Sequence, residues 1–521
     1  MLETIKKNSK LVFLILIVLV SVPAIFNLLQ PGFPLTDDGN WMVIRFSSFY
    51  ESLKAGQFPV RFLMRLNNGY GYPVADFLYP LFMYLATPFQ VLGIGFVNSI
   101  KAVIILSLVL SSLFSFLWLR KKFDNLSSFV GSFFYTYFPY HLFDVYKRGS
   151  VGEVLSLAIL PFVFWQIERK SLFWISVGIA FLILAHNSLA ALFIPIIILY
   201  MVINLILEKE KETFLRYLKG LIFGFGMSLF FTLPAILDLK YTVFSKTSVS
   251  DFSQYFSSIN LIGFAPFLII ITTLILIFTK KINLKTQKLV SLFLLLSIVS
   301  IFLSVSVSSF IWEKIPVSFI QFPFRFLSLT ILSVSFLAAL VINVLPKKQK
   351  IFMAILFLIL LFMYAYPQLK VSSYQNYPES FYSTNQDTTT VKNEYMPIWV
   401  KNVPTSMYSQ KVDNLDGQEL INLVSSMPNK TLFNTYLTKE REIEVNTVYF
   451  PGWEAYVNNK KVNINYYNDK GTIRLNLNKG QNDVRVEFKE TNIRNFSNLI
   501  SLMFIIGLII MSLRKRLLKR K

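Results

Sequence analysis

The chain has 521 residues, of which 54% are hydrophobic, only 15% are charged and 52 are Phe, which sets it apart from ordinary globular domains. Its formal net charge is +22, yet it holds no cysteine and only two histidines, His141 and His186. Disulfides, thiolate metal sites, cysteine nucleophiles and multi-histidine zinc centres are therefore excluded, and any chemistry falls to carboxylates, Arg, Lys, Tyr or backbone groups.

The basic residues are not spread evenly. Seven short clusters lie near residues 6–10, 120–122, 169–170, 209–219, 280–288, 347–350 and 514–521, and with their flanking acids they carry +19 of the +22. Apolar stretches long enough to cross a bilayer separate them, so anionic lipid headgroups rather than nucleic acid are the expected partners. Basic residues in short loops mark the cytoplasmic side. That rule puts both termini inside and places the protein in the cell membrane as a multi-pass chain.

The first expected span runs from about Leu11 to Leu29. The Ser21–Ala24 stretch resembles a processing site, but the long apolar region and missing A-x-A pattern predict an uncleaved anchor. A long polar loop, 30–98, then lies outside. Within it 78–97 is apolar but broken by Pro80 and Pro88, which predicts an interfacial or re-entrant helix. Further spans are expected near 99–119, 126–145, 151–167, 171–185, 188–207, 219–237, 259–279, 289–309, 325–345 and 350–366, placing every basic cluster inside.

Residues 1–366 thus form a helical membrane domain. Residues 367–495 are polar and extracytoplasmic, and their second half alternates like β-structure. The expected strands are Arg441–Phe450, Trp453–Val457, Lys461–Tyr467, Thr472–Leu477 and Asp483–Phe488, with Asn- and Gly-rich turns between them. They predict a small antiparallel sandwich. Residues 496–521 add a last span and a basic tail, giving about twelve spans in all.

Ionisable groups near a membrane are costly unless they serve a function or reach water. Outside the basic clusters they gather on the expected outer face: Asp37, Asp38, Arg45, Glu51, Arg61, Arg65 and Asp76 in the first loop, then Asp144, Lys147, Arg148 and Glu153. His186-Asn187 and Gln321-Phe-Pro-Phe-Arg325 complete the set. No charge falls at mid-membrane depth, where ion-coupled transporters place their sites. An enzyme working at the outer membrane surface is the expectation. A lipid-glycan flippase or transporter, or a non-catalytic envelope-assembly protein of the same fold, are the alternatives.

Several motifs together resemble the bacterial and archaeal membrane proteins called "6-pyruvoyl-tetrahydropterin synthase-related". They include Asp38-Gly-Asn-Trp-Met-Val-Ile-Arg45, Pro59-Val-Arg61, Asn68-Gly-Tyr-Gly-Tyr-Pro73 and Tyr79-Pro-Leu81. Arg148-Gly-Ser-Val-Gly-Glu153, Ala185-His-Asn187, Gln321–Arg325 and Tyr449-Phe-Pro-Gly-Trp453 continue the series. The soluble pterin enzyme in that name uses a histidine-held metal, which this sequence cannot supply. The wider relatives are the GT-C glycosyltransferases, polytopic enzymes that take sugar from a polyprenyl-phosphate carrier.

That resemblance implies a GT-C-like fold and transfer to a cell-envelope glycan, lipid or protein, with an acidic residue of the first outer loop as general base. Its spacing to Arg45 selects Asp38 over the neighbouring Asp37. Inversion at the anomeric carbon needs one base, and a carboxylate accepting the acceptor's proton contributes about 10²–10⁴-fold. The departing phosphate needs a fixed cation, for which Arg148 and Arg325, with Gln321, are the candidates. Glu153, Tyr70, Tyr72, Arg45, Arg61, His186 and Asn187 are the expected acceptor- or sugar-binding residues. Met42 stands where relatives often carry His. No cofactor is required, although the paired acids of the first loop are compatible with a divalent metal. The bland alternatives are an N-cap role for Asp38, an Arg148–Glu153 pair, and sandwich core for Trp453.

Overall fold

The computed structural model describes residues 9–208, 210–246, 251–314, 320–415 and 420–518. Lys6, Lys7, Lys209 and Lys519–Lys521, members of three basic clusters, lie outside these residues. Most of the chain is helical. Among the described residues nine helices are long and apolar enough to cross a membrane, within 11–29, 96–119, 151–168, 187–207, 211–241, 287–304, 323–344, 347–368 and 492–514. A tenth arises if the pair Ser253–Ile262 and Ala265–Phe278, bent by 71°, is one span. The fold is a polytopic helical bundle with β-sheets toward its C-terminal end.

The difference from the twelve expected spans has local causes. The stretch 126–145 forms α5 (Asn125–Tyr137), which stops where Phe138 precedes Pro139 and turns to φ −58°, ψ 129°. A proline ring clashes with a helical residue before it, so the helix ends there. A short helix, Pro139–Phe143, and one π-helical turn, Asp144–Arg148, follow. The 171–185 stretch forms α7 (Leu172–Ala185), 14 residues or roughly 21 Å, short for a core of about 30 Å. The bend at 259–279 falls at Gly263, whose φ of +77° a side chain would resist.

Before α5 come α1 (Ser9–Ile25), α2 (Gly39–Lys54), α3 (Leu81–Val91) and α4 (Phe96–Leu119). The long first loop is thus no featureless connection. Its helix α2 buries ten residues, and α3, at 11 residues, is too short to cross. Beyond α5 lie α6 (Val151–Glu168), α7, α8 (Asn187–Glu208) and α9 (Lys211–Asp238). The series ends with α10 (Ala265–Phe278), α11 (Leu284–Ser304), α12 (Leu327–Val344), α13 (Lys347–Gln368) and α14 (Asn492–Leu518).

Ion pairs gather four basic clusters at one end of this bundle. Lys122 meets Glu168 at 2.9 Å, Lys170 meets Glu210 at 2.7 Å, and Lys350 pairs with Asp124. Glu153 and Glu168 sit near opposite ends of α6, about 23 Å apart by helical rise. The candidate site therefore occupies the end of the bundle away from the basic clusters.

The sheet region holds β3 to β10, after a two-stranded pair of β1 (Phe33–Pro34) with β2 (Tyr374–Gln375). One three-stranded sheet orders β3 (Val412–Asn414), β6 (Arg441–Val448) and β9 (Thr472–Leu477) as β3-β6-β9. The five-stranded sheet runs β4-β5-β10-β7-β8, with β4 (Ile421–Met427), β5 (Lys430–Leu437), β7 (Trp453–Val457), β8 (Lys460–Val462) and β10 (Gly480–Phe488). These strands pair antiparallel throughout, with the register shifting once between β4 and β5, at Leu423/Ser425, and once between β6 and β9, at Val445/Val448. Burial alternates along β5, so one face joins the core and the other meets solvent. The expected strand Lys461–Tyr467 stops at Val462, and β4 and β5 were not foreseen.

Ring packing and a buried ion network help bind the sheets to the bundle. Trp453 and Phe488 pack against Phe62 of the first loop at 5.4 and 5.5 Å between ring centroids. Beneath them Arg494 of α14, fully buried, reaches Asp76 at 3.1 Å and Asp238 at 2.9 Å. Arg61 joins this network through Asp76 at 3.4 Å and Glu490 at 3.3 Å, and donates to the Phe230 carbonyl at 2.7 Å.

Candidate functional site

The site is built around Glu153, in the first turn of α6 and wholly buried. An acid suits that position because the helix dipole is positive there. Dipole alone does not hold a buried carboxylate; guanidinium groups do. Glu153 Oε1 lies 2.7 Å from Arg148 Nη1 and 2.8 Å from Arg325 Nη2. Arg325 Nε donates to the same oxygen at 2.9 Å, and the Tyr140 hydroxyl donates to Oε2 at 3.2 Å. His186 Nε2 stands 3.7 Å from Oε1. Burial pushes the His186 imidazole down to about 3 against the opposing pull of Glu153, so it is neutral near pH 7.

Three chain segments deliver these groups. The π-helical turn ends at Gly149 and puts Arg148 four residues after Asp144, whose Oδ1 it meets at 2.7 Å. Such turns interrupt the helical ladder and re-aim side chains. Both carboxylates sit on Arg148 Nη1, and the guanidinium also lies over Phe324 at 5.0 Å. Pro323 opens a 3₁₀ turn, Pro323–Phe326, that carries Arg325. There Arg325 Nη1 donates to the Ile320 carbonyl at 2.6 Å and to Gln321 Oε1 at 2.9 Å. Gln321 thus positions the guanidinium. His186 caps the C-terminal end of α7, against the ring of Tyr79 at 4.5 Å.

The first loop is stitched onto this cluster by its backbone. The Asp38 N–H donates to the Arg148 carbonyl at 2.8 Å, and the Asp37 N–H to the Lys147 carbonyl at 2.9 Å. Gly149 makes the approach feasible. Its φ is +68°, and a Cβ there would fall 2.9 Å from the Gly39 nitrogen and collide with Thr36 Oγ1. Asp38 is the N-cap residue of α2, but its side chain makes no capping bond and is left for other use. Its carboxyl is half-buried, and burial raises it above the ordinary aspartate value, opposed by the positive charges of Arg148 and Arg45. Asp37 differs: it is exposed and faces Lys147 at 3.7 Å.

The remaining expected residues divide. Arg45 is buried, its Nε donating to Thr389 Oγ1 at 3.1 Å and its Nη2 to the Thr389 carbonyl at 2.5 Å. Met42 supports it, with Sδ accepting from Arg45 Nη1 at 3.5 Å. Asn187 donates to the Phe77 carbonyl at 3.2 Å. Arg61 belongs to the Arg494 network, where its fork is spent on structural partners. Tyr70 and Tyr72, 2% and 0% exposed, offer no free ring face. Tyr72 OH meets Thr390 Oγ1 at 3.0 Å, and Tyr70 OH accepts from Lys470 at 3.3 Å. Arg61, Tyr70 and Tyr72 are thus buried against protein partners: Arg61 against Asp76 and Glu490, Tyr70 against Lys470 and Tyr72 against Thr390. Trp453 is sheet core, as the bland alternative had it.

Two members of the cluster were given no role by sequence reasoning. Asp144, named only as an outer-face acid, shares Arg148 with Glu153, and Tyr140 bonds Glu153; the i, i+4 spacing of Asp144 and Arg148 was the available signal. Among the described residues no group of three or more His, Cys, Asp or Glu is placed to hold a metal ion. Beside Asp37 and Lys147 a cleft of about 680 Å³ opens, lined also by Asn260, Gln368 and Lys370.

No family model matches the sequence. An uncharacterized protein of Lactococcus lactis subsp. cremoris (strain MG1363) is 24% identical over 280 residues, which is 50% of this chain and 45% of that protein. The chain thus spans under half the length of this curated relative. Among solved structures, the mycobacterial arabinofuranosyltransferase AftD aligns at 14% identity and TM-score 0.44, over 68% of this chain and 26% of that one. The oligosaccharyltransferase AglB of Archaeoglobus fulgidus, in complex with an inhibitory peptide and a dolichol-phosphate, aligns at 13% and 0.45, over 74% and 57%. ArnT of Cupriavidus metallidurans aligns at 16% and 0.41, over 72% and 68%. At such TM-scores the chemistry has to be read from this chain's own residues, and those residues assemble one buried cluster of carboxylates and guanidinium groups.

Proposed function

We propose that this chain is a membrane glycosyltransferase of the GT-C type, moving a sugar from a polyprenyl-phosphate carrier to a cell-envelope glycan, lipid or protein. The observation that carries the reading is the junction of Asp38 with Arg148, where the backbones bond and a half-buried carboxylate free of capping duty lies in the field of the Arg148 guanidinium fixed on Glu153. With the basic clusters cytoplasmic, this junction and the sheets face outward, where lipid-linked sugar would meet its acceptor.

Asp38 acts as the general base. It takes the proton of the acceptor hydroxyl as that oxygen attacks the anomeric carbon, and the carbon–phosphate oxygen bond breaks on the opposite face, inverting the centre. Its raised pKa strengthens it as a base near neutral pH. Arg148 faces the departing phosphate with the nitrogens not engaged by Asp144 and Glu153, and Arg325 keeps that guanidinium oriented through Glu153. Buried, prepaid ion pairs of this kind stabilise developing charge without reorganising. The lipid tail lies between spans, entering by the cleft beside Asp37, Lys147 and Lys370.

The test is transfer from labelled polyprenyl-phosphate sugars in membranes, comparing the wild type with Asp38→Asn. A loss of about 10²–10⁴-fold is expected, with Asp37→Asn close to wild type. Equal transfer by Asp38→Asn would leave the non-catalytic, envelope-assembly reading.

A further inference from the structure

An aromatic column on the sheet side has no part in the cluster just described. Tyr449 and Tyr466 stack with ring centroids 4.1 Å apart and planes 8° from parallel. Tyr466 stacks in turn on Tyr467 at 4.6 Å, their hydroxyls 3.4 Å apart. Trp399 packs against both Tyr449 and Tyr466, at 5.8 and 5.1 Å. The column ends in Tyr467, 81% exposed.

This arrangement has to be built. In a strand successive side chains point to opposite faces, so the neighbours Tyr466 and Tyr467 stack only because β8 stops at Val462. The 463–471 segment is then pinned irregularly: Asn465 exchanges backbone hydrogen bonds with Arg474, and the Tyr467 N–H donates to Asn465 Oδ1 at 3.1 Å. The Lys401 and Asn402 N–H groups both donate to the Asp469 carbonyl at 2.9 Å, and the Tyr449 N–H donates to Gly471 at 2.8 Å. Gly471 leaves room for the Trp399 ring, which a Cβ there would approach to 2.9 Å. The rings are ordered before any ligand arrives, which removes much of the entropy cost of binding.

We infer that this column is a binding platform for a glycan chain, the sugar's C–H face lying on Tyr467 and along the stacked edges, as an acceptor subsite that rests on the transferase reading above. A pyranose presents a flat apolar face ringed by hydroxyls, and the surroundings match both parts. Glu442 accepts from Asn465 at 3.1 Å beside the rings, and Lys461, 61% exposed, pairs with Glu454 on the same side. These groups suit hydroxyls. They do not suit the acyl boundary of a membrane, where apolar side chains and uncompensated Lys or Arg are favoured and carboxylates are not. The column also connects toward the catalytic cluster: Phe450, next to Tyr449, packs on Phe77 at 6.1 Å, whose carbonyl holds Asn187 beside His186.

The full chain in lipid nanodiscs, without donor, is titrated with fluorescently labelled hexasaccharides of glucose, galactose, mannose and N-acetylglucosamine. At least one is expected to bind, and Tyr466→Ala/Tyr467→Ala to weaken it about tenfold or more, since the variant removes both rings on which the sugar face would lie. Tyr436→Ala, equally on the sheet region and 63% exposed, should leave binding unchanged. No binding of any hexasaccharide at millimolar concentration, or equal binding by the double variant, overturns the proposal. So does quenching of fluorescence by brominated phospholipid that Trp399→Phe abolishes, which would place the column in lipid. A protein that binds glycan without transferring sugar refutes the transferase reading instead.

Discussion

Glu153 meets two guanidinium groups, a phenol and an imidazole, and that concentration of partners is what permits a carboxylate with no exposed surface. Glu153→Gln removes the charge while nearly keeping the shape, so that among the described ion pairs Arg148 keeps Asp144 and Arg325 keeps none. A loss of about 3–5 kcal/mol is expected, read as a fall in the detergent-solubilised melting temperature. Asp38 follows the opposite sign. Its pKa is raised in the folded protein, so ionisation there opposes folding and the penalty grows as pH rises through the raised value. Asp38→Asn should therefore be at least as stable as wild type at pH 7 while losing transfer. As base, Asp38 also sets the acid limb of the pH–rate profile, which should lie above the ordinary aspartate value of 3.8 and rise with pH. A limb at or below that value contradicts the burial argument.

At the scale of elements, the turn after the π-helical segment decides whether the first loop reaches the cluster. Gly149→Ala must strain a left-handed residue and push Thr36 and Gly39 away. We expect about 1–2 kcal/mol from the backbone alone, together with a fall in transfer, because Asp38 hangs from the Arg148 carbonyl. Gly56 is the control: its φ is +87° but nothing lies within 4 Å of a Cβ there. Gly56→Ala should cost a similar backbone strain with transfer unchanged. If both variants transfer equally well, the backbone stitch does not position the base.

Across the whole molecule, Arg494 joins α14, the first loop and the end of α9 through Asp76 and Asp238. Arg494→Gln leaves Asp238 without its cation and Asp76 with Arg61 alone, and should cost about 3–5 kcal/mol. Limited proteolysis checks where that loss falls: cleavage between residues 367 and 491 should accelerate well before the bundle is cut. Uniform acceleration along the chain would mean that Arg494 does not specifically clamp the sheets.

Much of this design was legible in the residues alone. Hydropathy and basic clusters reveal a polytopic bundle because a bilayer imposes one length and one charge rule on every span, whatever packs beside it. Period-two alternation in the sequence revealed β6, β7, β9 and β10 for a similarly local reason. Hydropathy marks 126–145 and 171–185 as spans without registering that Pro139 breaks the first into a helix, a short helix and a π-helical turn, or that α7 is only 14 residues long. Which ionisable residues share a site was decided only by tertiary structure. Arg61 and Arg148 look alike in sequence, yet Arg61 is spent on Asp76 and Glu490 while Arg148 meets Glu153 and the backbone of Asp38. Partner choice among buried charges depends on which chain segments, distant in sequence, arrive at the same few ångströms, and no local pattern encodes that meeting.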